Sequence, residues 1–388
     1  MRRRTLLPAL AAALCAAGAA TGTATALRSA DPLQGQEWFL SAVGAVQASP
    51  PGPGIPLTIV DSGVDASQPD FVGRPDTTYL NTQTVTGSGE FHGTEVASVA
   101  AAPANGTGIV GVYPAARLAV WDVTTAPGSV QPSPGVAAAP CPGVIELSLG
   151  ATKRDPQLAA TVAGAQRRGC LVVAAAGNEA EQGNPTIYPA AYPHVLAVGA
   201  SDETGARASF SSYGPWVDLL APGTGIAVDT TLEHDASGTA EDAGTSFSAA
   251  IVAAAAAWVW TARPSLTAAQ MFALISSTVK AGVLDIPAAL ASPAPPNDPR
   301  EPNDTVAEAA LQPPLTTASH RSNRIAAGLL AVKDPIDVYR IFVAPHTHVH
   351  LSVSGHAVAR VTGSYAVVTL ARGSTSARYV LRVSATAP

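Results

Sequence analysis

The sequence predicts an α/β fold, a parallel sheet flanked by helices, followed by a small all-β sandwich. Three observations carry this. From Pro56 to Ala291 short apolar runs alternate with Ala-rich stretches of helical length, and strands buried on both faces read as continuous apolar runs. Residues 292–300, SPAPPNDPR, have the composition of a linker. The charge also changes across that linker. Residues 299–388 carry nine Lys/Arg against five Asp/Glu, or +4, which leaves −10 of the net −6 to residues 1–298. With 47% apolar and 13% charged residues in 388, the chain has ample core material and is not disordered as a whole. Its acidic balance gives no basic footprint for nucleic acid.

Taken in order, the chain opens on Arg2, Arg3 and Arg4, an apolar run from Leu6 to Ala20, and Ala24-Thr25-Ala26. This is the layout of a secretory signal peptide over residues 1–26. Pro8 and the shortness of the run argue against a membrane anchor. The mature chain is therefore expected to be extracellular, without a membrane span. Strands are expected at Leu57–Val60, Leu118–Val123, Val144–Leu149, Leu171–Ala176 and Val195–Val198. Helices are expected at His92–Ala102, Pro156–Arg168, Ser246–Thr261 and Thr267–Val279. The crossover between Val123 and Val144 is too rich in Pro and Gly for a long helix. Beyond the linker, strand patterns begin at Ile336 and recur at Tyr339–Val343, Val349–Val353, Ala366–Leu370 and Tyr379–Val383. Cys141 and Cys170 each stand just before a β-like run. If those runs are neighbouring parallel strands, a disulfide and two free thiols are both open readings, and the Cα separation decides between them.

Three segments place a reactive side chain among small, turn-forming residues. In IVDSGVD, Asp61 ends an apolar strand, at the edge of a parallel sheet where α/β sites are built. In HGTEVASVAAA, His92 opens a helix, and in AGTSFSAAIVAAAAAWVW, Ser246 starts a long apolar helix whose N–H groups can stabilise an oxyanion. Each alone is equally a cap. Together they make an Asp…His…Ser order that differs from the orders of chymotrypsin-type and α/β-hydrolase triads.

DSGVD, HGTEVA, VVAAAGNEA, ASFSSYGPWVDLLAPG and GTSFSAA, in that order, make residues 31 to about 290 resemble the subtilisin-like serine proteases, the subtilase family. The resemblance implies that Ser246 is the nucleophile, His92 the general base and then acid, and Asp61 the residue that orients the imidazole. It implies Asn178 as the oxyanion side chain. Ser148, Leu149 and Gly150 match the family's SLG segment, whose backbone pairs with an extended peptide, with Gly128-Ser129-Val130 as the opposite edge. Ala175, Gly177 and Glu179 fall on the wall of the primary specificity pocket. Ile187 stands where the family often has Gly, which would shorten the pocket and favour small or medium P1 residues. A structural Ca²⁺ is implied by Asp70 and by the PANGTGI loop. Asn105 would give its side-chain oxygen, Pro103, Thr107 and Ile109 their carbonyls, and Asp31 an acidic oxygen. No organic cofactor is implied, and the partner is a peptide or protein substrate.

The resulting division is a signal peptide at 1–26, a peptidase domain at 27–291, a linker at 292–300, and a β-sandwich at 301–388. EPNDTVAEA and DPIDVYRIFV in that last unit resemble the bacterial pre-peptidase C-terminal domain. His346, His348 and His350 would share one strand face there. Several features depart from the family pattern. Glu95 replaces a His, Ala250 replaces a Pro after the nucleophile, and no pro-domain is evident after the signal. A rival reading is a non-catalytic secreted binding protein on a protease scaffold.

Overall fold

The computed structural model describes residues 27, 29–83, 85, 90–126, 129–297, 303, 306–312, 314–317, 323–330, 336–343, 348–371 and 376–386. The expected signal peptide, part of the linker, Gly128 and His346 lie outside these residues.

In chain order the first unit contains α1 (Trp38–Ala42), β1 (Leu57–Asp61), β2 (Thr77–Tyr79), α2 (His92–Ala101) and β3 (Leu118–Asp122). Next come a short ladder of β4 (Thr124–Ala126) and β5 (Ser129–Val130), then α3 (Pro132–Ala138), β6 (Gly143–Leu147), α4 (Pro156–Arg167), β7 (Cys170–Ala175) and β8 (Val195–Ser201). It closes with β9 (Leu219–Pro222), a hairpin of β10 (Ile226–Asp229) and β11 (Thr239–Asp242), α5 (Thr245–Ala262), α6 (Ala268–Ser277), β12 (Val279–Lys280), β13 (Val283–Leu284) and α7 (Ile286–Ala291). One nine-stranded sheet runs β12-β13-β9-β8-β7-β6-β1-β3-β2. Its pairings are parallel throughout, except for the terminal β12–β13 hairpin.

The two-residue period of a strand explains the layering. Leu57 and Ile59 of β1 face one core with α2 and α5, while Val60 faces a second core with Val136 of α3 and Leu158 and Val162 of α4. Helix α5 is buried from Thr245 to Trp260, and its run Ala253–Ala257 is small enough to lie close against the sheet. Local signals fix the helix starts. Asp155 caps α4 ahead of Pro156, and Thr267 forms a capping box with Gln270. Helix α6 ends at Ser277, earlier than expected, because Val279–Lys280 turn into the β12–β13 hairpin. The Pro- and Gly-rich crossover holds only the short α3. Cys141 and Cys170 are joined in a disulfide with a Cα–Cα distance of 5.1 Å, in keeping with the pairing of Gly143 and Cys170 at the start of neighbouring parallel strands.

The second unit has α8 (Val306–Leu311), β14 (Leu315–Thr317), β15 (Asn323–Leu330), β16 (Ile336–Val343), β17 (His348–Ser354), β18 (Ala357–Thr362), β19 (Tyr365–Leu370) and β20 (Ser376–Thr386). Two sheets, β14-β16-β19-β18 and β15-β20-β17, enclose Leu315, Ala327, Tyr339, Ile341, Val368, Tyr379 and Leu381. Two features correct the sequence reading: strands precede Ile336, and a helical turn sits before the first strand. Strand β14 pairs parallel with β16. His348 and His350 both lie on β17.

Candidate active site

The sheet is wound in both directions from β1. The chain moves to β3 on one side and later to β6 on the other, so the switch point lies at the carboxyl ends of β1 and β6, where such sheets open a crevice. Asp61 is the last residue of β1, and Ser148 follows β6 directly. Helix α2 begins at His92 and packs against the loop after β1 so closely that a Cβ on Gly93 would stand 2.2 Å from the Gly63 carbonyl oxygen. That contact brings His92 Nδ1 to 2.8 Å from Asp61 Oδ1. The same Asp61 oxygen accepts from the Ser62 N–H at 2.7 Å, while the Ser62 hydroxyl accepts from Gly93 N–H at 3.0 Å. With Nδ1 held by the carboxylate, Nε2 is the nitrogen left for chemistry. Ser246 lies in the first turn of α5, nearly buried, and its hydroxyl donates to the Ser148 carbonyl at 3.5 Å. Asp61 and His92 are thus in contact across two elements, and Phe247, next to Ser246 on α5, has its ring centroid 6.3 Å from that of His92.

Electrostatics at the site are dominated by acids. Burial pulls the His92 imidazolium down, but the charge and hydrogen bond of Asp61, helped by Glu95, raise it to about 9. His92 keeps a third of its side chain exposed (34%), so substrate can reach it. Glu95, one turn along α2, is buried, and that burial raises it to about 7 against the opposing influence of the Thr230 hydroxyl. Glu146 is fully buried in β6, and burial first, then the Asp61 charge, holds it well above the ordinary carboxylate range.

Asn178 is oriented by a residue that carried no signal in the sequence beyond its place in GTSFSAA. The Asn178 side-chain oxygen accepts from Thr245 N–H at 2.9 Å and from the Thr245 hydroxyl at 3.0 Å, and the same hydroxyl accepts from Gly177 N–H at 3.1 Å. The amide nitrogen is thereby turned towards the Gly244–Ser246 turn, where backbone and side-chain N–H groups converge.

Gly150 is exposed, Leu149 is half-buried against the second core, and Ala151 pairs reciprocally with Tyr188 at 2.8 and 2.9 Å. Ile187 is buried between two glycines. A Cβ on Gly150 would meet its Cγ2 at 2.6 Å, and one on Gly177 would meet its Cγ1 at 2.6 Å. Gly177 also has φ +104° and approaches the Glu179 carboxylate, which Ser212 holds. Ala175 is buried beside them. Gly150, Gly177, Glu179 and Ile187 are thus brought together. Ser129 and Val130 are exposed in their own short ladder.

Of the expected metal-binding residues, Asp31 meets the 105–107 loop and Asp70 meets Ile109. Asp31 Oδ1 accepts from the N–H groups of Asn105, Gly106 and Thr107 at 3.1, 2.7 and 3.1 Å, and Asn105 Oδ1 accepts from Thr107 N–H at 2.8 Å. Asp70 Oδ2 accepts from Ile109 N–H at 3.2 Å. The remaining oxygens, Asp31 Oδ2, Asp70 Oδ1, Glu37 Oε2 and both of Asp229, are buried without a donor. Gly108 brings Asp70 and Asp229 to one place, since a Cβ there would lie 2.3 Å from Asp70 Oδ2 and 2.6 Å from Asp229 Oδ1. Pro103 begins the loop at half-exposed positions. Among the described residues no group of three or more acidic, His or Cys side chains is close enough to enclose an ion by itself. Asp229, on β10, belongs to no motif and was not foreseen. A set of orphaned oxygens with no nitrogen or sulfur fits a hard cation.

Asp61 thus stands at the switch point of a doubly wound sheet with His92 in contact, and comparison with known proteins gives the family. The chain matches the subtilase family over residues 52–306 and belongs to it. It is 37% identical over 235 residues to subtilisin amylosacchariticus of Bacillus subtilis subsp. amylosacchariticus, covering 58% of this chain and 61% of that protein. Subtilisin Savinase of Lederbergia lenta is 35% identical over 246 residues, covering 61% of this chain and 89% of that protein. The chain thus spans about three fifths of the length of the first of these relatives. Among solved structures, a protease from Pseudoalteromonas arctica PAMC 21717 has the same fold, with a TM-score of 0.57 at 20% identity over 68% of this chain and 98% of that one. A psychrophilic subtilisin-like protease from Pseudoalteromonas sp. AS-11 is equally similar in fold, with a TM-score of 0.57 at 19% identity over 66% of this chain and 97% of that one.

Proposed function

We propose that this subtilase is a secreted serine endopeptidase acting through an acyl-enzyme. The observation that carries the reading is the 2.8 Å Asp61–His92 contact, with Ser246 at the start of a buried helix whose next residue, Phe247, has its ring centroid 6.3 Å from that of His92. Ser246 Oγ attacks the scissile carbonyl as His92 Nε2 takes its proton. The oxyanion is received by Asn178 and the Ser246 N–H, and His92 returns the proton to the leaving amine. Water then repeats the sequence on the ester. Asp61 holds the tautomer and stabilises the imidazolium. Leu149 and Gly150 pair with the substrate main chain as an added strand, and Ile187 limits the pocket beside Ala175, Gly177 and Glu179 to small or medium P1 side chains.

A Ca²⁺ ion would be held near Asp70, with Asp229, Asp31, Asn105 and the carbonyls of Pro103, Thr107 and Ile109 as candidate oxygens. Its contribution is charge neutralisation in a buried acidic region. We also propose the division into a signal peptide at 1–26, a peptidase domain at 27–291, a linker at 292–300, and a C-terminal sandwich of the pre-peptidase C-terminal type.

Covalent labelling with a fluorophosphonate, with Ser246→Ala as control, tests the reading. Labelling confined to the wild type is expected. Folded, calcium-loaded protein that resists the probe would instead favour a binding scaffold.

A further inference from the structure

The Ser148 hydroxyl sits between two oxygens. One is Glu146 Oε1, in hydrogen-bond contact, and the other is the main-chain carbonyl oxygen of Ser246, at 2.9 Å. A hydroxyl carries one proton, and a carbonyl carries none. If Glu146 were ionised, its carboxylate and the Ser246 carbonyl would compete for that one proton, in a site where the other carboxylate oxygen already lacks a donor. With a proton on Glu146 the chain closes: the acid donates to Ser148 Oγ, and Ser148 Oγ donates to Ser246. The surroundings agree. Glu146 is fully buried and its Oε2 has no partner. The charged groups that face it are Asp61 on β1 and His92 on α2, with Glu95 beyond His92. Burial and Asp61 oppose ionisation, whereas His92 and hydrogen bonds from the Ser148 side chain and main chain favour it, and the opposing pair prevails.

The link is reciprocal, because Ser246 Oγ donates back to the Ser148 carbonyl at 3.5 Å. Two residues, one on the substrate-pairing edge and one the nucleophile, are cross-tied by their own hydroxyls. We infer that Glu146 is a positioning residue, a hydrogen-bond donor that works through Ser148 to hold the Ser246 main chain at a fixed distance from the Leu149–Gly150 edge. This role rests on the endopeptidase reading, although the donor state of Glu146 does not.

The experiment combines infrared spectroscopy of the full chain with kinetics on Glu146→Gln and Glu146→Leu. Wild type at neutral pH is expected to show a buried carboxylic-acid C=O band that disappears in Glu146→Gln. In ester hydrolysis Gln, whose amide donates as the acid does, keeps kcat within about threefold. Leu, similar in bulk but without a donor, lowers kcat by up to about 10²-fold with a smaller change in KM, as a misplaced nucleophile should. Absence of the acid band, or equal kcat in the Gln and Leu variants, would overturn the inference. If Glu146→Leu does not fold, the wild-type band decides. Should Ser246 prove unreactive, the endopeptidase reading fails while the band still reports the Glu146 proton.

Discussion

Thr245 shows how much of a site can depend on a side chain that touches no reacting atom. Its hydroxyl receives Gly177 N–H and donates to Asn178, so one residue fixes the proposed pocket glycine and the proposed oxyanion amide together. Thr245→Val keeps the shape and loses both bonds, and kcat is expected to fall about tenfold, a fraction of the 10²–10³ lost when an oxyanion donor is removed outright. Thr245→Ser should restore most of it, and steady-state kinetics on an ester substrate would check both. His92 makes a prediction of a different kind. A general base works only when neutral, so an imidazole raised to about 9 should make kcat/KM climb with pH and level off near that value. Glu95 is ionised above about 7 and contributes to that rise, so Glu95→Gln should move the limb to lower pH. A limb that stays put in Glu95→Gln would contradict the charge assignment.

At the scale of elements, the approach of α2 to β1 sets the Asp–His geometry. Gly93→Ala must push the helix off the Gly63 carbonyl, an overpacking worth about 1–3 kcal/mol. Activity should fall further than stability, which comparing kcat with a denaturant midpoint would reveal. The disulfide closes a 29-residue separation between Cys141 and Cys170, at the strand edge opposite Asp61 and Ser148. Cys141→Ser with Cys170→Ser should cost about 2–4 kcal/mol in urea unfolding, with kcat unchanged below the transition. Much of this was legible in the sequence. Strands β1, β3, β6, β7 and β8 are apolar runs, and Asp61, His92 and Ser246 each interrupt or end such a pattern with a turn residue beside it. Glu146 was not legible as a functional residue, because a single acid inside VIELSLG looks like one solvent-facing position of a strand. Only the placement of β6 between β1 and β7 shows that it has no solvent to face. Asp229 was missed for a related reason, since β10 and β11 pair only with each other and carry weak apolar patterning.

The whole molecule joins an acidic first unit to a mildly basic second one. Its buried, undonated oxygens on Asp31, Glu37, Asp70 and Asp229 are unfavourable unless a cation answers them. Calcium should therefore raise the melting temperature and chelation lower it, with a gain of about 2.7 kcal/mol at a hundredfold excess over Kd. Asp229→Asn should reduce that gain, and calorimetry with and without the ion would measure it. The C-terminal unit was the least legible part. Leu315–Thr317 and Asn323–Leu330 lack a regular polar–apolar alternation, and their strand character comes from pairing with β16 and β20 over residues distant in sequence.

One helix among the described residues, Thr245–Ala262, is long and apolar enough to cross a membrane by length and composition, at a mean hydropathy of 1.4. In the folded protein that apolarity is spent on the sheet. On the proposed export route the chain has no sheet yet as it threads the translocation channel, and the channel sorts segments by their partition into lipid. Building this helix from alanine, with few leucine or isoleucine residues, keeps that partition marginal. Replacing three of the Ala253–Ala257 residues by leucine would then trap the chain in the bilayer during transit, quite apart from the crowding it would cause against the sheet.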